Sequence, residues 1–468
     1  ASKEKPLNAS TPTLRTRDIA NVLHPYTHLR RHEAQGPLVI TRGKGIYVYD
    51  DQGKEYIEGL AGLWCTALGF SEQRLAEAGA RQLATLPFYH TFASKSHDVG
   101  VELAEKLLSM MPVPMSKAFF NNSGSEANDT AVKMVWYYRN ALGQHRKKKI
   151  ISRIRGYHGV TVATASLTGL PDNHRDFDLP IANVRHADCP HHYRYGKPGE
   201  TEEQFATRLA EQLEAQIIRE DPETVAAFIA EPVQGAGGVI VPPATYFEKI
   251  QAVLRKYDVL LIADEVICGF GRTGRMFGTE TFGLQPDIIT VAKALSSAYV
   301  PISATVVSDR LYQAFLTQSD RIGQFAHGYT YSNHPVPAAV ALETLKIYEE
   351  RRIADHVQSL APQFQAALRS FADRPFVGEV RGVGLIGAME LVTDKTTRVP
   401  FDRKLGVGAV VAKACQERGL IVRALGDTIA FCPPLIITEA EIRELFARYA
   451  AAFDAALPEI ERIAAGLK

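Results

Sequence analysis

From Lys117 onward the chain alternates short apolar runs with helical stretches, and that alternation confines it to one class of fold. The runs lie at 117–120, 149–152, 225–230, 259–263, 287–291 and 302–307, and turn residues bound them. Short apolar runs of this kind are the buried strands of a parallel sheet. Stretches between them, such as 203–219 and 246–256, carry helical periodicity. Strand and helix in repetition predict an α/β fold, a large domain with a mostly parallel, doubly wound sheet.

The two chain ends read differently. Val39-Ile40 and Ile46-Tyr47-Val48-Tyr49 flank Gly43-Lys44-Gly45, and a turn cluster precedes Tyr56-Ile57. Alternating β-formers around turns predict an antiparallel meander. Residues 1–16 are polar and are expected to be mobile or draped on a neighbour. Helices are predicted at 72–86, 99–110 and 335–350, with an irregular aromatic loop at 86–92. Beyond them, strands at 377–381, 385–391 and 429–431 with helices at 406–418 and 439–457 make an α+β unit. The expected division is 1–75 and 341–468 as the two parts of a smaller α+β domain, and 76–340 as the large domain.

Charge excludes some functions. The 53 basic and 52 acidic residues leave a formal charge of +1, which gives no electrostatic case for nucleic acid or an anionic membrane. No apolar run is long enough to span a bilayer, and no leader of the charged-then-apolar kind opens the sequence. The five cysteines, Cys65, Cys189, Cys268, Cys415 and Cys432, are scattered. They form neither a disulfide framework nor a metal knuckle, so no metal and a cytoplasmic location are expected.

Chemistry concentrates where strands end. Val259-Leu260-Leu261-Ile262-Ala263 breaks into Asp264-Glu265, and Asp287-Ile288-Ile289-Thr290-Val291-Ala292 delivers Lys293. Ligands of open α/β sheets bind at the carboxyl ends of strands. A buried carboxylate and a lysine converging there suit pyridoxal phosphate, the lysine as a Schiff base and the aspartate on the pyridinium nitrogen. The plainer reading is a solvated strand end and a helix or loop start.

Asn121-Asn122-Ser123-Gly124-Ser125-Glu126-Ala127-Asn128 follows a strand and opens a helix. Free N–H groups and the helix dipole would cradle a phosphate there, while Ser123 with Glu126 also fits a capping box. Tyr157, in Arg155-Gly156-Tyr157-His158-Gly159, could stack on a planar ring or be an ordinary core residue. His158 reads as a hydrogen-bonded turn residue rather than a base. Glu231-Pro232-Val233-Gln234-Gly235 reads as a loop at the same sheet edge. Trp64, in a glycine-rich stretch, is either a pocket wall or core. No dinucleotide fingerprint or nucleotide P-loop is present.

These motifs, in this order and spacing, resemble the class III aminotransferases, PLP enzymes of fold type I, from about His24 onward. Tyr26, Leu63-Trp64, Phe92, the run Asp264 to Gly274 and Gly419-Leu420-Ile421-Val422-Arg423 resemble the amine:pyruvate branch, the omega-transaminases. The resemblance implies that Lys293 holds pyridoxal phosphate and shuttles the proton. It also implies that Asp264 pairs with the ring nitrogen, that Tyr157 stacks on the ring and that Val266 packs behind it. Ser123, Gly124 and Ser125 would hold the phosphate, Glu231 would belong to the cofactor site, and Thr330 would reach the phosphate of a partner subunit. Tyr26, Trp64, Phe92, Tyr157 and Ala236 would line the substrate pocket, and Arg423 would be a mobile arginine for the keto acid's carboxylate.

The branches that use glutamate or ornithine carry Glu at Ala236 and Gln at Ile267, and these departures favour pyruvate as acceptor. The implied enzyme transfers an amino group from an aryl amine, diamine, polyamine or omega-amino acid to pyruvate. It would be a homodimer at minimum, with a tetramer open. An aminomutase or decarboxylase on the same scaffold, and more remotely an NAD-dependent oxidoreductase, are the competing readings.

Overall fold

The computed structural model describes residues 12–466. Seven strands form the large sheet in the order Lys117–Asn121, Ser303–Val307, Ile288–Val291, Leu260–Asp264, Val225–Ala230, Lys149–Arg153 and Val184–Ala187. Pairing is parallel except for Ser303–Val307, which runs antiparallel to both of its neighbours. The edge strand Val184–Ala187 is absent from the sequence reading. Its half-buried residues Arg185 and His186 interrupt the apolar run on which a strand assignment depends.

Side chains alternate across this sheet with the period of two that a pleated strand imposes. Phe228 and Ala230, Leu261 and Ala263, and Ile289 and Val291 enter one apolar core. Ala227 and Ile229, Leu260 and Ile262, and Ile288 enter the other. The first core holds the helices Glu202–Glu220, Tyr246–Lys256 and Pro335–Glu350, and the second holds Gly124–Ala141 and Asp309–Ile322. Helices therefore cover both faces, as a parallel sheet requires. All six residues of Val225–Ala230 have no exposure.

The meander forms as Ile40–Lys44, Tyr47–Asp50 and Glu55–Glu58. Its last strand then pairs in parallel with Leu420–Ile421, so residues from both chain ends share one sheet. A further sheet joins Val377–Val383, Ile386–Asp394, Thr428–Phe431 and Arg423–Leu425, with Val399–Pro400 on its side.

Three expectations need correction. Residues 1–11 lie outside the described residues, but the polar stretch does not stay irregular to 16. A helix, Leu14–Asn21, begins after Thr13, whose hydroxyl accepts from Thr16 N. The last helix does not stop before Pro458 but runs from Glu439 to Ala465. An interior proline removes one hydrogen bond without obliging the helix to end, and tertiary packing of Phe453, Ala456 and Ile460 carries it through. The helices Asp309–Ile322 and Ile353–Arg369 were also not anticipated.

Candidate active site

The loops after five parallel strands converge at one edge of the large sheet. Asp264 ends Leu260–Asp264 with its carboxylate buried. Its Oδ2 accepts from Asn128 Nδ2 at 2.8 Å and from His158 Nδ1 at 2.8 Å, and its Oδ1 accepts from Val266 N at 3.0 Å. Asn128 is itself fixed, donating also to the His158 carbonyl at 2.9 Å and accepting from Thr290 Oγ1 at 2.8 Å. A carboxylate only accepts, so the hydrogen of His158 sits on Nδ1. Its Nε2 is buried without a partner.

Sequence reasoning missed two of these residues. In sequence His158 reads as a hydrogen-bonded turn residue, which it is, and Asn128 as the end of a helix opening; the partner that both share, Asp264, is not visible there. The signal available was a polar side chain at a position of an apolar helix that faces the sheet: Asn128 sits among Ala127, Ala131 and Val132, all buried.

At Ser123 both anticipated arrangements are present in part. Ser123 Oγ caps the helix Gly124–Ala141 by accepting from Glu126 N at 3.1 Å. The reciprocal half of the capping box is displaced by one residue, because Glu126 Oε2 accepts from Asn122 N at 2.8 Å and from Asn122 Nδ2 at 2.9 Å. A Cβ on Gly124 would lie 3.1 Å from Val266 Cγ1, so glycine lets this helix end approach Val266 closely. Ser125 Oγ accepts from Val160 N at 3.1 Å and keeps its own hydrogen to donate.

Glu231 is buried beneath Tyr157. Its Oε1 accepts from Tyr157 N at 2.8 Å and its Oε2 from Gly235 N at 3.0 Å. Burial pushes its pKa up to about 7, with neighbouring His158 opposing the rise and the Asp264 carboxylate adding to it. Arg153 Nη2, fully buried, donates to the Glu231 carbonyl at 2.6 Å. Glu265 serves structure instead: it accepts from Thr279 N at 2.5 Å, Thr279 Oγ1 at 2.8 Å and Gly278 N at 3.1 Å.

A family model, Aminotransferase class-III, matches residues 29–453. The chain belongs to this family. Among relatives, Gamma-aminobutyrate transaminase 1, mitochondrial, of Oryza sativa subsp. indica is 55% identical over 435 residues, 93% of this chain and 84% of that protein. The structure of the omega transaminase from Pseudomonas jessenii in complex with PMP is 57% identical with a TM-score of 0.94, covering 96% of this chain and 99% of that one. A thermostable variant of a Pseudomonas jessenii omega transaminase, engineered for asymmetric synthesis of enantiopure bulky amines, is likewise 57% identical with a TM-score of 0.94. It covers 96% of this chain and 100% of that one. The fold is that of the PLP fold type I aminotransferases, and pyridoxal phosphate is the cofactor.

The residues of this aminotransferase fit that group. A buried carboxylate held by three N–H donors can keep a proton on a pyridine nitrogen. A helix N-terminus without a Cβ at Gly124 can receive a phosphate. Lys293 follows the strand Ile288–Val291 with a φ of 44°, a left-handed conformation costly for a side chain of this type. Such strain persists where surrounding structure fixes it, as at functional sites.

The substrate-side candidates divide. Tyr157 and Arg423 come together with Tyr26. Burial raises the Tyr157 hydroxyl well above its usual range, and the Tyr26 hydroxyl adds to this. Burial lowers the Arg423 pKa, and the nearby Tyr157 and Tyr26 hydroxyls oppose that shift. No carboxylate faces Arg423 among the described residues. Asp427 does not pair with it, because its Oδ1 accepts from Gly408 N at 3.2 Å. Tyr26 is exposed, with its hydroxyl accepting from Asn173 Nδ2 at 2.6 Å. Trp64 is buried in an apolar cluster with Val233 and Ile267, Ala236 is half-buried and Phe92 is exposed. Thr330 stands at the surface.

Proposed function

We propose that this aminotransferase moves the amino group of a primary amine to pyruvate, giving alanine and a ketone or aldehyde in two half-reactions with ping-pong kinetics. The observation that carries this reading is the place of Arg423, partly buried beside Tyr157 and Tyr26 with no carboxylate facing it. A keto acid brings a carboxylate to such a cation, whereas an amine without one leaves it bare. An unpaired buried charge costs several kcal/mol. An arginine on the short strand Arg423–Leu425 can avoid that cost by swinging to solvent.

Two relatives support the substrate class. The Pseudomonas jessenii variant carries substitutions at a tryptophan, a phenylalanine and an arginine, spaced along its chain as Trp64, Phe92 and Arg423 are here. Its use for bulky amines supports those three as pocket residues. The rice relative is named for gamma-aminobutyrate, which supports an omega-amino acid among the donors.

When bound, pyridoxal phosphate supplies an electron sink for the pair left at the substrate's Cα. In this reading Lys293 would take the proton from the substrate's Cα and return it, and Asp264 would keep the ring nitrogen protonated. Asn128 and His158 hold Asp264 in place. Tyr157 and Val266 would hold the ring, and Glu231 anchors the Tyr157 backbone. The N–H groups and hydroxyls at Ser123, Gly124 and Ser125 bind the phosphate. Exposed Thr330 completes the site of a partner, which makes the enzyme a homodimer at minimum. The division into a large domain, 76–340, and a smaller one from 1–75 and 341–468 belongs to the same reading. The pairing of Glu55–Glu58 with Leu420–Ile421 supports it.

No helix among the described residues is long and apolar enough to cross a membrane. The five free cysteines support a reducing compartment, the cytoplasm in the sequence reading, while the rice relative is named as mitochondrial. The deciding assay offers holoenzyme 1-phenylethylamine or 4-aminobutyrate with either pyruvate or 2-oxoglutarate. Alanine formed one-to-one with pyruvate consumed is expected, and a clear preference for 2-oxoglutarate overturns the proposal.

A further inference from the structure

Away from the cofactor site, two groups among the described residues bring three metal-ligating atoms within 4.8 Å of one another. One is His191 with Glu379 and Glu390. Its carboxylates are already taken, since Arg381 Nη1 donates to Glu379 at 2.6 Å and to Glu390 at 2.8 Å, and Arg194 also donates to Glu390. That group is a closed ion-pair network.

The other is different. Asp18 Oδ1 faces His24 Nε2 at 2.8 Å and His32 Nε2 at 3.1 Å, and the two rings lie 4.1 Å apart between centroids. No guanidinium pairs with Asp18 among the described residues: Arg15, one turn before it, is directed at Gly36 instead. The three donors come from separate pieces of chain, namely the helix Leu14–Asn21, the connecting loop and the helix Leu29–Gln35.

We propose that Asp18, His24 and His32 bind a divalent ion of the zinc, cobalt or nickel class, whose preference is for imidazole with carboxylate. Metal–ligand bonds of about 2.1 Å in tetrahedral geometry place ligand atoms about 3.4 Å from one another. The observed separations of 2.8 and 3.1 Å need to open by about 0.6 and 0.3 Å to reach that value. Coordination uses the Nε2 lone pairs, so each ring then carries its hydrogen on Nδ1 and donates its other nitrogen to the metal. Three protein ligands leave a fourth position for water. The ion would tie the two helices together across residues 22–28, the segment that carries Tyr26. This inference does not depend on the acceptor assigned above.

The test uses tag-free holoenzyme dialysed against a chelator and titrated with Co²⁺ alone, followed by visible d–d absorption, and with Zn²⁺ alone by calorimetry. Wild type is expected to bind one equivalent per chain. His24→Ala, His32→Ala and Asp18→Asn should each weaken binding at least tenfold, while Glu379→Gln should leave it unchanged. Zn²⁺ should also slow tryptic cleavage at Arg17, Arg30 and Arg31 in wild type and not in the double variant H24A/H32A. An unchanged far-UV spectrum and thermal midpoint verify that the variants remain folded. No equivalent in wild type, or one retained in H24A/H32A, overturns the proposal.

Discussion

Asp264→Asn tests the centre of the site, and the structure gives two separate magnitudes for it. The carboxylate accepts three N–H donors, two at Oδ2 and one at Oδ1. An amide in its place has one acceptor oxygen and one NH2 group. With the oxygen toward Asn128 and His158, the NH2 group meets Val266 N–H. Turned round, it meets Asn128 and His158, and only His158 can adapt, by moving its hydrogen to the unpartnered Nε2. One donor therefore stays unsatisfied in a buried place, which costs about 1–3 kcal/mol of stability. The catalytic effect is larger and has another origin. An amide does not hold the ring nitrogen protonated, and losing such an electrostatic partner raises the barrier by about 3 kcal/mol or more, on the order of 100-fold in rate. Urea unfolding reads the first number, and single-turnover stopped-flow with 1-phenylethylamine reads the second. A half-reaction within a few-fold of wild type in a folded, cofactor-loaded variant refutes the role given to Asp264.

Lys293→Ala should fold and bind the cofactor through its phosphate contacts, yet lose the Schiff-base absorption band and all turnover; measurable steady-state transamination would count against the assignment. Arg423→Ala should raise the KM for pyruvate at least tenfold while changing the 1-phenylethylamine half-reaction little, and equal damage to both would make the arginine structural. Glu58 is buried and accepts from Leu60 N at 3.0 Å, and burial raises its pKa to about 7. A carboxyl raised in the folded state binds its proton more tightly there than when unfolded. Its contribution is present below the unfolded value near 4.5 and is lost as pH rises from there to about 7. Glu58→Gln should remove a pH-dependent loss on the order of 3 kcal/mol between pH 5 and 7.5, seen in urea midpoints, and an unchanged slope would show that Glu58 does not titrate in this range.

The central parallel strands were legible because they are apolar on both faces. Val225–Ala230 and the run ending at Asp264 leave no other reading once turn residues bound them. Val184–Ala187 was not legible, because an edge strand buries only part of its surface and Arg185 can stay at the rim. The place of Asp264 at a strand end and of Gly124 at a helix opening was legible from the apolar run and the glycine. Asn128 and His158 were not, because their chemistry is a matter of partners: only the fold brings both to Asp264 Oδ2. The Asp18, His24 and His32 group escaped for a related reason. Its members are separated along the chain by residues of no regular pattern, and their convergence depends on how two short helices fold back.

The burial of Val225–Ala230 has a consequence for measurement. The strand is paired on both sides, to Lys149–Arg153 and Leu260–Asp264, and has no exposed residue. Its amide hydrogens can meet solvent only when the whole sheet opens, so their deuterium uptake reports the free energy of global unfolding in plain buffer. The helices Leu14–Asn21 and Leu29–Gln35, which bury no residue, should label within the earliest time points. A single mass-spectrometric time course thus contains both an internal clock for the fold and a zero for those two helices.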